Sequence, residues 1–150
     1  MILSLHNEVE KLSAFKFFYI SPFNKSKMSD TIKLFVFVNT DFLTDSGSRT
    51  AQATHVVHRM VDKLVKASYE SFATPEACIR YEKWNNCPTT LIYRCTNEQM
   101  EKLLKVKPEE TIYFRDDLKG KDGKLLHMNV LTAICTYPGA NIDTSGYQLL

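Results

Sequence analysis

The chain has 150 residues, of which 44% are hydrophobic and 24% are charged, a composition that suits one globular domain with a sizeable core. Its 19 basic and 17 acidic residues give a net charge of +2, which excludes a protein drawn to nucleic acid by its overall field. Any contact with RNA must therefore come from a local basic patch. The cysteines show no CxxC pair and no zinc-like spacing, which favours reduced thiols in a cytoplasmic protein over a disulfide; they are Cys78, Cys87, Cys95 and Cys135.

Residues 1–30 differ in character from the rest of the chain. Apolar residues recur there at helical spacing, and the aromatic-rich segment FKFFYI and the polar run NKSKMSD follow. Charged residues interrupt the apolar positions, which excludes a secretory signal and a membrane span. Two interpretations remain open: a poorly ordered or loosely docked extension, and a helix that packs on the domain or on a partner.

The first regular elements are predicted as a strand and two helices. The run TIKLFVFVN at 31–39 has almost no polar interruption, which is typical of a central strand buried on both faces. Apolar residues at spacings of three and four then predict an amphipathic helix over 49–70 with one face on a sheet. Thr74 followed by proline is a typical cap and first turn, which predicts a second helix over 75–84.

Three further strands are predicted in the second half of the chain: TTLIYRC at 89–95, TIYFRD at 111–116 and LTAICTY at 131–137. After the first of them, Thr96 and Gln99 form a capping-box pattern, so a third helix is expected to continue to about residue 105. The polar run DLKGKDGK predicts a loop between the last two strands.

The order β-α-α-β-α-β-β predicts a single three-layer α/β domain over residues 31–150. A mixed four-stranded sheet is expected, with helices on both faces. The last strand should be antiparallel to its predecessor, because no helix separates the two.

The loop that joins the first strand to the first helix carries the most informative polar residues. It turns through Gly and Ser and opens a helix whose first turns contain Gln52, His55 and His58. Such a loop presents unpaired backbone N–H groups at one edge of the sheet, where α/β proteins commonly hold anions. His55 and His58 lack a third ligand at a suitable spacing, so no metal site is predicted.

These segments resemble the type II peptidyl-tRNA hydrolases of archaea and eukaryotes, over roughly residues 31–150. In that family a strand ends in Asp, a Gly-Lys loop follows, and the helix opens with Ala-Ala-Gln and a His three residues later. The same register runs here from Asp41 through Gly47 to Ala51, Gln52 and His55. Three later family motifs correspond to YFRDD at 113–117, TAICTYP at 132–138 and the closing segment from Ile142-Asp143 through Gly146 to Leu149-Leu150.

The resemblance implies an enzyme that cleaves the carboxylic ester between a peptide and the terminal ribose of tRNA. It implies a cytoplasmic protein that binds the 3′ end of peptidyl-tRNA, needs no cofactor and forms a homodimer. By the same resemblance, Asp116 would orient or activate water, and His55 would shuttle a proton or orient a group. Thr132 would donate a hydroxyl hydrogen bond in the cleft, and Gln52 would hold the substrate or His55.

The chain departs from the family at the loop lysine, whose position is taken by Ser48. A divergent branch, the peptidyl-tRNA hydrolase domain-containing proteins, also lacks this lysine, and the chain is similar to that branch. Substrate phosphates would then contact Ser48 and Arg49, together with the basic residues Arg115, Lys119 and Lys121.

Each candidate also has a purely structural interpretation. His55 fits a half-buried histidine that faces the sheet, and His58 fits an exposed one. Asp116 and Asp117 fit a strand-end turn that accepts backbone N–H groups. The propensity of threonine for strands alone explains Thr132, and the lysines fit a solvated loop. Three functions therefore remain open: a divergent peptidyl-tRNA hydrolase, a catalytically impaired relative that binds tRNA or another RNA, and a protein-interaction module.

Overall fold

The structure, a computed structural model, describes residues 31–70 and 74–150. In this part of the chain it confirms the α/β class, with three helices and a mixed, open sheet of five strands. The strands are β1 (Lys33–Asn39), β2 (Thr89–Cys95), β3 (Thr111–Lys119), β4 (Leu125–Thr136) and β5 (Gln148–Leu149), and the helices are α1 (Ser46–Glu70), α2 (Pro75–Asn86) and α3 (Asn97–Leu103). The extension predicted for residues 1–30 lies outside the described residues.

The sheet has the strand order β3-β4-β1-β2-β5. β1 and β2 are parallel, whereas β4 is antiparallel to both β1 and β3, as the missing helix between β3 and β4 predicts. The expectation of four strands is wrong, because the short β5 pairs antiparallel with β2 through Leu149 and Gln148. A strand of two residues is too short to carry a hydrophobic alternation, so the sequence pattern does not reveal it.

Helices cover both faces of the sheet. Leu34, Val36 and Val38 of β1 pack in one core with residues of α1 and α2. Phe37 packs in a second core with Met100 and other residues of α3 and β2. This division follows from the alternation of side chains along β1. Among the described residues, no helix combines the length and the apolar character that crossing a membrane requires.

Two helix boundaries differ by two or three residues from the predicted ones. α1 begins three residues before the predicted position 49, because the carboxylate of Asp45 accepts hydrogen bonds from the backbone N–H and the hydroxyl of Ser48, at 2.8 and 2.6 Å. The predicted capping box of α3 is confirmed: Thr96 accepts from the backbone of Gln99, whose side chain accepts from the backbone of Thr96. α2 ends two residues later than predicted, at Asn86.

β3 and β4 form a longer hairpin than predicted. β3 continues to Lys119 rather than 116, and β4 starts at Leu125 rather than 131, so only residues 120–124 of the predicted loop lie outside the strands. A short turn closes the hairpin: the N–H of Gly120 donates to the carbonyl of Lys124, and Gly123 adopts a φ of 77°. The polar residues 121–124 are exposed, as their composition indicates. Exposure continues through residues 125–129, although Leu125, Leu126 and Met128 are apolar, and the two strands of the hairpin remain paired there.

The four cysteines are free, as the spacing predicts, and they differ in exposure: Cys87 is exposed, Cys78 is intermediate, and Cys95 and Cys135 are buried. Burial raises the pKa of Cys95 to about 12 and raises that of Cys135 strongly. We therefore expect a disulfide-exchange reagent at pH 8 to modify only Cys78 and Cys87 in the folded protein, and all four after denaturation. Rapid reaction of Cys95 or Cys135 in the folded state would contradict the described core.

Candidate functional site

The candidate site lies at the edge of the sheet where the parallel strands β1 and β2 end. α1 and α3 both begin at this edge, and the β3–β4 hairpin extends past it. The hairpin also contacts the loop before α1, since the rings of His127 and Phe42 meet edge-to-face at 4.8 Å. Open α/β sheets bind their ligands outside the carboxyl ends of their strands, so the topology indicates this edge.

Three of the predicted site residues come together through hydrogen bonds. Gln52 Nε2 donates to Asp116 Oδ2 at 2.9 Å, and the Thr132 hydroxyl donates to Gln52 Oε1 at 2.7 Å. Thr132 is fully buried and Gln52 is 8% exposed, whereas Asp116 is partly exposed. We call these residues the carboxylate triad. The buried amide fixes one oxygen of the accessible carboxylate, and the backbone N–H of Asp117 donates to the other oxygen at 2.9 Å.

A β-bulge in β4 makes the carboxylate triad possible. Ala133 pairs with Phe114 and Leu131 pairs with Arg115, so Thr132 has no partner in β3. Ala133 belongs to the core under α1 and Leu131 to the core under α3. Strict alternation would point Thr132 away from α1, and the bulge turns its hydroxyl towards Gln52 instead.

The interior of the sheet holds the bulge in place. Asn39, at the end of β1, is fully buried, and its Nδ2 donates to the carbonyl of Leu131 and to Asn97 Oδ1, both at 2.9 Å. Asp41 accepts the backbone N–H of Asn97 at 2.7 Å. The strand-ending aspartate of the motif therefore joins the end of β1 to the start of α3 through an exposed hydrogen bond.

His55 is brought near the carboxylate triad but is not bonded to it. Its ring is exposed and stacks on the ring of Phe114, with centroids 5.3 Å apart and planes 20° apart. Phe114 is two residues before Asp116 on β3, so both face α1. No hydrogen bond to the His55 ring occurs within the described residues. His55 is therefore more exposed than the half-buried histidine that the structural interpretation expects. His58 is exposed, as expected.

The residues in the position of the family's lysine loop serve the start of α1. Ser48 is bonded to Asp45, and this contact lowers the pKa of the Asp45 carboxyl, chiefly through the Ser48 hydroxyl and then its backbone N–H. Arg49 donates from Nε to the carbonyl of Leu43 at 2.8 Å and from its terminal nitrogen to that of Thr44 at 2.7 Å. Both predicted substrate contacts are thus engaged in local structure.

The predicted basic residues of the hairpin lie apart from the carboxylate triad. Arg115 points to the other face of the sheet, where it forms an ion pair with Glu101 at 3.2 Å. Lys119 ends β3, about 10 Å along the strand from Asp116, and Lys121 lies in the exposed turn. The strand-end turn considered for Asp116 and Asp117 is not formed, because both lie within β3. Both carboxylates nevertheless accept backbone N–H groups as that interpretation expects, Asp116 from Asp117 and Asp117 from Asn129.

Sequence reasoning missed two residues that line the same surface. Arg59 follows His55 by four residues on α1, and its guanidinium lies 4.4 Å from the centroid of the Phe114 ring. From the sequence, Phe114 is predicted only as part of a strand. Two patterns point to them: the i, i+4 spacing of His55 and Arg59, and the i, i+2 spacing of Phe114 and Asp116.

Comparisons with known proteins add no relative to this picture. No protein-family model matches the chain, and a search of curated proteins gave no match either. The resemblance to the type II peptidyl-tRNA hydrolases therefore rests on the quoted motifs alone.

The buried link between Thr132 and Gln52 has a measurable cost if it is removed. We expect Thr132→Val to lower the free energy of unfolding by about 1–3 kcal/mol, because the buried Gln52 Oε1 loses its hydroxyl donor. The matched control is Thr90→Val on β2, an exposed strand position, which should change stability by less than about 0.5 kcal/mol. Chemical denaturation of both variants makes the comparison, and equal stabilities would contradict the described link.

Proposed function

We propose that this chain is a divergent peptidyl-tRNA hydrolase-like enzyme that acts in the cytoplasm on the ester between a peptide, or an N-blocked amino acid, and the 3′ end of tRNA. The observation that carries the proposal is the carboxylate triad: residues of three separate elements meet at the carboxyl edge of the sheet around one accessible carboxylate. The choice of substrate is inferred from the motifs that resemble the family.

In the proposed reaction, the residues of the site act on water and on the leaving group. Asp116 accepts a proton from a water molecule whose oxygen attacks the ester carbonyl carbon. Gln52 and the N–H of Asp117 hold the carboxylate in one orientation during this step. The bond between the carbonyl carbon and the ribose oxygen then breaks, and His55 protonates that oxygen. The products are a free carboxylic acid and the 3′-terminal hydroxyl of tRNA. The proton that Asp116 accepted then passes through solvent to His55, which restores both groups.

Thr132 acts indirectly in this proposal. Its hydroxyl lies 2.7 Å from Gln52 Oε1 and 3.2 Å from the carbonyl oxygen of Phe114, and the side chain is fully buried, so it contacts no substrate. Thr132 is therefore a positioning residue that fixes the amide, and the amide in turn fixes Asp116.

A second function, binding of tRNA or another RNA without hydrolysis, is favoured by two particular observations. Ser48 stands where the family has its loop lysine and is engaged with Asp45. His55 makes its described contact with a phenyl ring, not with the carboxylate triad. The first feature removes the cation that the family's chemistry uses, and the second leaves His55 without a hydrogen bond to the carboxylate triad.

Hydrolysis of N-blocked aminoacyl-tRNA tests the proposal directly. We expect the wild-type protein to release the blocked amino acid and Asp116→Asn to be slower by about a hundredfold or more, because an amide cannot accept the proton from water. The control is Asp117→Asn, in which the remaining carbonyl oxygen still accepts the N–H of Asn129. If Asp116→Asn and Asp117→Asn are equally active, Asp116 is not the base.

The same assay separates the two functions. Ser48→Lys restores the cation of the family motif at the start of α1. If the wild type is inactive and Ser48→Lys is active, the chain is a degenerate relative, and the RNA-binding function takes the place of the enzyme.

A further inference from the structure

The basic residues near the carboxylate triad differ in whether their charge is already engaged. Arg49 donates to the carbonyls of Leu43 and Thr44. Arg115 is paired with Glu101 on the opposite face of the sheet. A substrate phosphate at this site therefore needs another cation.

Arg59 meets that requirement. Its side chain is exposed, and within the described ranges no hydrogen bond or ion pair engages its guanidinium. The guanidinium rests over the ring of Phe114, 4.4 Å from the centroid. This contact holds the guanidinium beside the ring without using any of its five N–H donors. This arrangement suits bidentate binding of a phosphate.

The position of Arg59 relative to the carboxylate triad completes the argument. Gln52, His55 and Arg59 are spaced by three and four residues, so they form one row on the face of α1 that looks at β3. Gln52 bonds Asp116, while His55 and Arg59 share the ring of Phe114. An anion on Arg59 therefore lies on the same surface as the proposed reaction centre, about two helical turns along α1 from Gln52.

We propose that Arg59, stacked on Phe114 beside His55, binds a phosphate of the nucleotide strand that carries the ester. This proposal rests on the proposed function and names the residue that replaces the missing loop lysine as the cation of the site. Arg59 determines how tightly the strand is held and takes no part in proton transfer, since arginine stays charged near neutral pH.

Binding is measured by fluorescence anisotropy with a short, 5′-labelled single-stranded RNA that ends in CCA, so no hydrolysis is needed. We expect Arg59→Gln to weaken binding about tenfold and to flatten the dependence of log affinity on log salt by about 0.7, the value for one phosphate contact with a single strand. Arg59→Lys should keep the salt slope and bind less tightly than wild type, because it loses the bidentate geometry. The control is Arg94→Gln, an exposed arginine on β2, which should bind as wild type does.

Two results overturn the inference. One is that Arg59→Gln matches Arg94→Gln in both affinity and salt slope, with unchanged thermal stability in each variant. The other is that the wild type fails to bind the RNA. If it binds an acidic peptide instead, the exposed arginine is assigned to a protein partner.

Failure of the inference is distinguishable from failure of the proposed function. With N-blocked aminoacyl-tRNA as substrate, the inference expects Arg59→Gln to raise KM about tenfold with kcat within about twofold of wild type. Hydrolysis with an unchanged KM overturns the role of Arg59 alone. RNA binding that depends on Arg59 in a protein without hydrolytic activity overturns the enzyme and supports the role of Arg59.

Discussion

The β-bulge at Thr132 is the constraint on which the candidate site depends. Without the extra residue, the alternation of β4 would direct the Thr132 hydroxyl to the α3 side of the sheet, and Gln52 would lose its partner. The amide would then have no fixed orientation from which to hold Asp116. Asn39 fixes the neighbouring carbonyl of Leu131 from inside the sheet, so a fully buried polar residue on β1 supports an accessible carboxylate on β3.

In the resulting site, hydrogen bonds hold both oxygens of the Asp116 carboxylate, but few cationic side chains lie nearby. Gln52 and the backbone of Asp117 use one lone pair on each oxygen of Asp116, and the partly exposed side chain keeps capacity for water. The loop that corresponds to the family's lysine has become a helix cap built from Asp45 and Ser48. A cation is present instead on the next helical turn after His55, where Arg59 covers Phe114.

Much of the fold follows from local patterns, whereas the site depends on long-range pairing. The capping box at Thr96 and the apolar run of β2 indicate their elements directly, because the signals lie within a few residues of one another. The fifth strand and the extended hairpin give no such local signal. β5 pairs with β2 across dozens of residues, and the exposed outer part of the hairpin shows no apolar alternation.

The same contrast separates the correctly grouped site residues from the others. The motifs predict that Gln52, Asp116 and Thr132 belong to one site. They do not reveal that the hydrogen-bond partner of Gln52 is Asp116 and not His55. The contact between Thr132 and Gln52 depends on a bulge in β4, and strict alternation of side chains along a strand does not predict a bulge. The sequence pattern likewise places Arg49 near the site, while only the fold shows its guanidinium turned to the carbonyls of its own loop.

The central claim is that Gln52 and Asp116 act as one unit, and a double-mutant cycle on the hydrolysis of N-blocked aminoacyl-tRNA tests it most directly. The cycle compares Gln52→Ala, Asp116→Asn and the double variant. If Gln52 works by orienting the carboxylate, removing it should cost about tenfold in the wild type and almost nothing once Asp116 is asparagine. Rate losses that simply multiply in the double variant would show that the two residues act independently, and would contradict the account.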